Sequence, residues 1–473
     1  MKLLKTTYIT TTALTLSMSA AAFAGSGNEA YLDQIQSGSG TGTNSALITQ
    51  SAGNDNEAGS TSQNIRQIAQ SNSNNDLDIV QSGDNNDIGL NGFQQLAQYA
   101  SSPNGNTASI TQSSNDNVVG KVTQRNRFGG AVGASGNALT ILQQTGDDNV
   151  ITEVFQDKHK GGSGNTATLT MSGTRNTIAL AKQTVTGGSI PGNTMTVSIS
   201  GDDNGRGALG GYAALSGAST SELKQGFEDL NNGNVNKGNN ALALDISGNS
   251  NQFGVTQDGT NNTVGTLSIT GSSNELGISQ VGDANTVQLA VLGGNYNNVG
   301  ISQTVDNNWA QVDISGSSNE AWVMEHGNRN FVDHWVEGDH HTAEIDILGD
   351  DNSLNTHQRW GNGNQMYVSV TGDRNNNGGA LSGNAGSAFA AANGVTGLPM
   401  SAGSLWQHGS NNEMTVTVTG DDNLFAVLQR GSGNALVGTV IGANNQAAVA
   451  QNGNNNTANF VQNGSYNNLG IIQ

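Results

Sequence analysis

Asn423-Leu-Phe-Ala-Val-Leu-Gln429-Arg-Gly431-Ser-Gly-Asn434-Ala-Leu-Val-Gly-Thr-Val-Ile-Gly442 holds almost two copies of one unit. Apolar residues alternate with small or polar ones over five to seven positions, the period of a β-strand with one buried face. Gly then arrives, and Asn follows three residues later. Both tolerate positive φ, so the link is a tight turn. Gly409, Gly420, Gly431, Gly442, Gly453 and Gly464 step by eleven residues. Strand, turn, strand, turn is therefore the plan of this region, and no stretch in frame carries the 3.6 period of a helix.

The unit runs back through Gly372, Gly361, Gly349, Gly338, Gly327, Gly316, Gly294, Gly282, Gly271, Gly259 and Gly248, with Val305 where a glycine is due. It continues less regularly through Gly201, Gly173, Gly146 and Gly83 toward Asn28. The slot two residues before the glycine alternates in kind. Ile246, Ile269, Val291 and Ile314 are aliphatic, and Gln257, Gln280 and Gln303 fall between them. The alternation returns at Gln407, Val418, Gln429, Val440 and Gln451. The true period is then two strands, about 22 residues. Like slots stack on like slots about 4.8 Å apart. This predicts an all-β fold: a two-sheet β-solenoid with cross-β character.

Inward residues follow from the register. In Asn274-Glu-Leu-Gly-Ile-Ser-Gln280, the residues Asn274, Leu276, Ile278 and Gln280 share one face. Leu and Ile fill the space between the sheets, at about 1.5–3 kcal/mol each when fully buried. Buried amides are costly if unpaired, but stacked on identical neighbours they form hydrogen-bonded ladders. The predicted ladder residues are Gln257, Gln280, Gln303, Gln407, Gln429 and Gln451, with Asn262, Asn274, Asn285, Asn434, Asn445 and Asn456. Val336 and Ile347 break the phase: both slots are aliphatic where alternation requires one Gln.

Composition narrows the class. The chain has 473 residues, 17 Lys+Arg against 37 Asp+Glu, and a net charge of -20. That balance argues against binding nucleic-acid phosphates. Only 3 prolines exclude collagen, and the absence of cysteine excludes a disulfide scaffold. Recurrent aliphatic alternation does not fit simple disorder. Lys2 and Lys5, the apolar stretch 13–22 and the small-x-small Ala22-Phe23-Ala24 read as a signal peptide over 1–24, followed by a repeat array over 25–473. No later stretch approaches the roughly 18 apolar residues of a membrane-spanning helix. The stretches 87–105, 125–136, 205–239 and 376–400 leave the pattern and read as loop insertions, with one or two helical turns over Glu222–Glu228. The first unit begins close to the predicted cleavage site and the last strand runs to Gln473, leaving no room for polar caps. Uncapped cross-β stacks are expected to grow end to end.

Gln257-Asp-Gly259-Thr-Asn-Asn262, Gln280-Val-Gly282-Asp-Ala-Asn285, Gln429-Arg-Gly431-Ser-Gly-Asn434 and Gln451-Asn-Gly453-Asn-Asn-Asn456 resemble the curlin repeat, as does Asn445-Gln-Ala447-Ala-Val-Ala-Gln451. The resemblance implies a subunit of curli-like functional amyloid fibres, made by Gram-negative bacteria for biofilm matrix, cell aggregation and surface adhesion. It further implies export through the periplasm, an outer-membrane secretion pore and a nucleating subunit as partners. Assembly on the cell surface into a homopolymer would follow. The chain departs from the family in its length, in the Ile or Val that often replaces one Gln per coil, and in its insertions. The alternative is a monomeric cell-surface β-solenoid adhesin whose insertions meet a ligand.

Other chemistry has weaker signals. His326, His334, His340, His341 and His357 cluster with Trp309, Trp322, Trp335 and Trp360, but without zinc-ligand spacing. Solvated or ladder histidines are the simpler reading. Trp309 and Trp335 are predicted outward but about 13 Å apart along the strand, too far for one sugar platform. The pairs Asp147-Asp148, Asp202-Asp203, Asp350-Asp351 and Asp421-Asp422 lack the spacing of calcium β-rolls and read as charged turns. The outward Thr415, Thr417 and Thr419 reflect β-propensity. No nucleophile elbow or paired-carboxylate cleft stands out, so neither an enzyme nor a bound cofactor is expected.

Overall fold

The computed structural model describes residues 25–37, 44–59, 65–70, 74–89, 97–100, 105–126, 136–159, 163–186, 190–226, 237–288, 292–397 and 400–473. The expected signal peptide lies outside them, as do parts of each expected insertion. The chain divides into two compact units. The first comprises the described residues of Met1–Ala208 and Ser219–Asn262, the second Leu209–Ala218 and Thr263–Gln473. Each is a two-sheet β-solenoid in which successive coils pair in parallel.

In the first unit, sheet A contains Val118–Asn126, Val150–His159, Thr177–Thr186, Glu222–Gln225 and Gln252–Asp258, and sheet B runs from Asn44–Gln50 to Ala241–Ser247. Its coils are longer than the predicted 22 residues: Gln156 stacks on Gln183 at a separation of 27 and Gln34 on Gln67 at 33. The extra residues fall between strands, so the stacking register survives. Two expected insertions return to the sheet. Asp87–Ile88 and Ala97–Ala100, inside 87–105, both pair with Val118–Asn126. Glu222–Gln225, expected as helix, is a strand between Thr177–Thr186 and Gln252–Asp258. Leu223 and Gln225 both point inward and are fully buried, and that tertiary burial outweighs local helix propensity.

In the second unit, sheet C runs from Glu275–Val281 through Asn298–Thr304, Glu320–His326, Thr342–Leu348, Gln365–Thr371, Glu413–Thr419 and Ala435–Ile441 to Thr457–Asn463. Sheet D runs from Thr263–Thr270 through Trp309–Ser315, Phe331–Glu337, Ser353–Arg359, Ser404–His408, Leu424–Arg430 and Gln446–Asn452 to Asn468–Ile472. Ile278, Ile301, Val323, Ile345 and Val368 form one continuous apolar column between the sheets. The aliphatic slot between Ile269 and Ile314 is Leu292, not Val291, because Leu292 pairs with both. Val291 lies outside the described residues.

Turn geometry explains the Gly-x-x-Asn spacing. Gly316 has φ +138, and a Cβ there would lie 1.9 Å from the Gly338 carbonyl of the next coil. Side chains are excluded by the stacking itself, not by the turn alone. Val305 takes the slot at φ +77, a conformation rare for a β-branched residue.

Two helices rest on the outer faces of the second unit. Helix α1 (Gly211–Leu215) lies over Gly277 and Gly300, where any Cβ would strike the Ala213 and Tyr212 carbonyls. Helix α2 (Gly383–Thr396) falls within 376–400, expected as loop. It buries Ala385, Ala388 and Ala392 against Ala448, Leu428, Trp406 and Ala450, and ends at Gly397 with φ +64. Phe389 and Val395 pack, partly buried, beside these small residues. Among the described residues, no helix is long and apolar enough to cross a membrane.

Candidate functional site: the stacked amide ladders

The inward Gln slots form hydrogen-bonded columns. In sheet A, Gln156 donates to Gln183, Gln183 to Gln225 and Gln225 to Gln257, at 2.7, 2.7 and 2.8 Å. In sheet B, Gln50, Gln81, Gln112 and Gln143 form a second column, which ends where Met171 follows. The first unit thus carries Gln in both sheets over several coils, more than the alternation predicts.

In the second unit the column changes sheets. Gln280 donates to Gln303 at 2.9 Å and Gln303 to Glu325 at 2.7 Å, after which sheet C continues with Ile347, Val370, Val418 and Val440. Sheet D is aliphatic through Ile314 and Val336, then switches to Gln358, Gln407, Gln429, Gln451 and Gln473, each donating to the next at 2.8–3.0 Å. The phase slip at Val336 and Ile347 is this handover. Both slots are aliphatic because one column has stopped and the other has not yet begun.

Asn residues at the strand entrances form further columns. Asn240 donates to Asn193, and the Asn262 backbone N–H to the Asn240 Oδ1. Asn297 donates to Asn274, Asn308 to Asn285, Asn434 to Asn412 and Asn445 to Asn423, at 3.0–3.1 Å. Each amide orientation is set by the backbone. The Asn434 Nδ2 also donates to the Gly453 carbonyl at 2.9 Å, and the Gln429 Nε2 to the Glu413 carbonyl at 2.8 Å. These contacts leave the side-chain oxygens as the acceptors.

Three titratable side chains interrupt the handover region. Glu325 is fully buried, and burial raises its pKa well above the usual value, partly countered by the bond from Gln303. His341 replaces Asn in a column: its backbone N–H donates to Asn319, its Nε2 faces the Gly361 carbonyl at 2.9 Å and its Nδ1 receives the Asn364 N–H. Those partners specify the neutral Nε2–H tautomer, and burial lowers its pKa. His334 is fully buried beside the Thr356 hydroxyl, and burial pushes its pKa down to about 3.

The Asp pairs cap turns. The first Asp accepts a backbone N–H from the preceding coil: Asp202 from Thr174, Asp350 from Asn328 and Asp421 from Asp373. The second pairs with an Arg one coil back, in Arg175–Asp203, Arg329–Asp351 and Arg374–Asp422. Among the described residues, no group of three or more His, Cys, Asp or Glu is placed to hold a metal ion.

The aromatics occupy separate places. Trp309 stacks on Phe331 with centroids 4.4 Å apart. Trp322 is covered by Tyr212 of α1 and donates to Asp346. On sheet D, Trp335 carries the Arg359 guanidinium 3.8 Å above its ring, and His357 stacks on Trp406 at 4.5 Å. Trp360 is an extra residue in its turn: Asn352 to Asn364 spans twelve positions, against eleven from Asn423 to Asn434. It sits at φ +62 with half its surface exposed. His408 lies beside it, 2% exposed. Sequence reasoning missed this cluster because Trp360 and His408 are separated by the α2 excursion.

Among the described residues the Asn456 Nδ2 has no hydrogen-bond partner, whereas Asn434 donates to the Gly453 carbonyl. Gln473 accepts from Gln451 and donates to the Thr457 carbonyl. Val461, Tyr466 and Ile472 are 68%, 80% and 61% exposed.

No protein-family model matches the chain, and no curated protein matches it.

Proposed function

We propose that this chain is a structural subunit of extracellular curli-like amyloid fibres, joining end to end by adding coil on coil. The observation that carries the reading is the stacking itself: in sheet D, Gln407, Gln429 and Gln451 each donate to the next amide across successive parallel coils in unchanged register. A second copy stacking its own coils in the same register would extend those columns and bury further apolar surface. The ladder makes the joint cooperative, since each added coil satisfies amides already present.

Several consequences belong to this reading. The protein is secreted through the periplasm, works at the surface of a Gram-negative cell in matrix and adhesion, and relies on a secretion pore and a nucleating subunit. It performs no catalysis. The experiment is to refold residues 25–473 and follow thioflavin fluorescence with and without preformed seeds. Seeded shortening of the lag supports the reading. A monodisperse monomer that ignores seeds at high concentration overturns it in favour of the monomeric adhesin.

A further inference from the structure

We infer that the hollow between Trp360, His408 and Arg430 is a binding subsite for one uronate residue of an acidic polysaccharide. The hollow lies on the outer side of sheet D, within the second unit. Its volume is about 480 Å³, and it is lined by Trp360, His408, Arg430, Asn452 and turn glycines. That size falls in the range of small-ligand sites.

Each wall contributes a different part of the recognition. Trp360 offers an exposed indole, an apolar plate suited to the face of a pyranose ring. Trp360 is itself the inserted residue of this turn and sits at φ +62. His408 is 2% exposed, and among the described residues neither ring nitrogen has a hydrogen-bond partner. The ring packs against Trp360, with centroids 4.4 Å apart, and backs the indole plate from beneath. Burial, then Arg359 and Arg430, lower the His408 pKa to about 4, so at neutral pH the ring keeps one N–H and one lone pair.

Charge selects the acidic sugar. Arg430 is exposed, and its Nη1 donates to the Val395 carbonyl at the end of α2 at 2.7 Å. Its remaining N–H groups face no carboxylate among the described residues. Arg359 stands 5.3 Å from the Trp360 ring and pairs with Glu337. On a chain of net charge -20, this is a local cationic spot beside an aromatic plate. A ring carboxylate reaches Arg430 while the ring covers Trp360.

The inference is independent of fibre formation, since the hollow is complete within one copy. The test is isothermal titration calorimetry of residues 25–473, soluble or fibrillar, with trigalacturonate, and with galactotriose as the neutral counterpart. Saturable binding of trigalacturonate is expected, weakened about tenfold or more by Arg430→Gln, as for loss of a charge-assisted hydrogen bond. Trp360→Gly, which removes the plate and relieves the positive φ, weakens it similarly while circular dichroism stays unchanged. The proposal is overturned by any of three results: no heat with trigalacturonate at millimolar concentration, equal affinity for galactotriose, or unchanged affinity in Arg430→Gln. An oligonucleotide that binds as tightly and competes would also overturn it, because the spot would then read charge alone.

Discussion

Two stretches of the second unit use the same coil to different ends. From Gln407 to Gln473, sheet D repeats one inward amide without exception, and the facing slots of sheet C are Val418 and Val440, followed by Gln462. From Asn319 to Asn364, three repeated columns are interrupted: Glu325 stands for Gln, His341 for Asn, and His334 and Thr356 in a column otherwise held by Val312 and Leu405. The backbone register is continuous through both. The comparison separates what the coil requires from what it tolerates. Parallel strand pairing and the turn glycines set the geometry, and the ladders add uniformity wherever a column is unbroken.

The strongest way to break the comparison is to charge the uniform stretch. Gln429→Glu with Gln451→Glu places two carboxyls one coil apart where a 3.0 Å amide bond now stands. Leaving uncompensated buried charge typically costs about 3–5 kcal/mol. At neutral pH the lag before thioflavin growth should lengthen severely and the melting midpoint should fall. Both should recover toward pH 4, where the carboxyls are neutral. Unchanged kinetics at pH 7 would remove the ladder from the mechanism.

The next test repairs the interrupted stretch. The folded pKa of Glu325 is raised, so folding keeps its proton while the unfolded chain releases it above pH 4.5. Wild-type stability is therefore lost as pH rises from about 4.5 toward the folded value. Glu325→Gln removes that loss and continues the column by one amide. Relative to wild type it should gain up to about 1.4 kcal/mol per pH unit above 4.5 and converge below it. Denaturant melts at pH 4, 6 and 8 would show this; a pH-independent difference would contradict it.

His341→Asn should show the opposite slope. Its folded pKa is lowered, so wild-type stability is lost as pH falls below 6.5, when the unfolded chain takes up a proton that the folded ring resists. Asn restores the column and abolishes that share of the acid sensitivity. The gain is expected at pH 5 and not at pH 8. His334, with a folded pKa of about 3, contributes a loss of the same sign and remains in the variant. Smallest of all is Arg329→Ala. Its partner Asp351 lies at the surface, and the pair is screened by solvent and salt. No resolvable change in midpoint is expected at 0.15 M salt.

Much of the uniform stretch could be read directly from the chain, because an eleven-residue step places Gln429 over Gln451 and Asn434 over Asn456 with no other information. The interrupted stretch was harder. Val336 and Ile347 registered only as a fault in phase, since one sequence cannot say which of two facing sheets a given slot belongs to. Val291 is displaced by one because that slot counts from Gly293; counted two residues back from the repeat glycine Gly294 the slot is Leu292, as the pairing shows. Glu222–Gln225 was misread because four residues carry little periodic signal, and only the stacked Gln183 and Gln257 reveal their role. The sheet D hollow was invisible for a different reason. Its two central residues meet across coils, and the spacing between them is set by the length of α2.

The amide columns also have a sense. Along the Gln columns, every nitrogen faces the following coil and every oxygen the preceding one, as in Gln407, Gln429 and Gln451. Along the Asn columns the arrangement is reversed, Asn434 donating back to Asn412 and Asn445 to Asn423. The two sides of any coil are thus complementary rather than alike. An inverted copy would meet hydrogen against hydrogen and lone pair against lone pair. Polymers built on these contacts would possess a head and a tail, advance at unequal speeds from the two, and refuse recruits presented upside down.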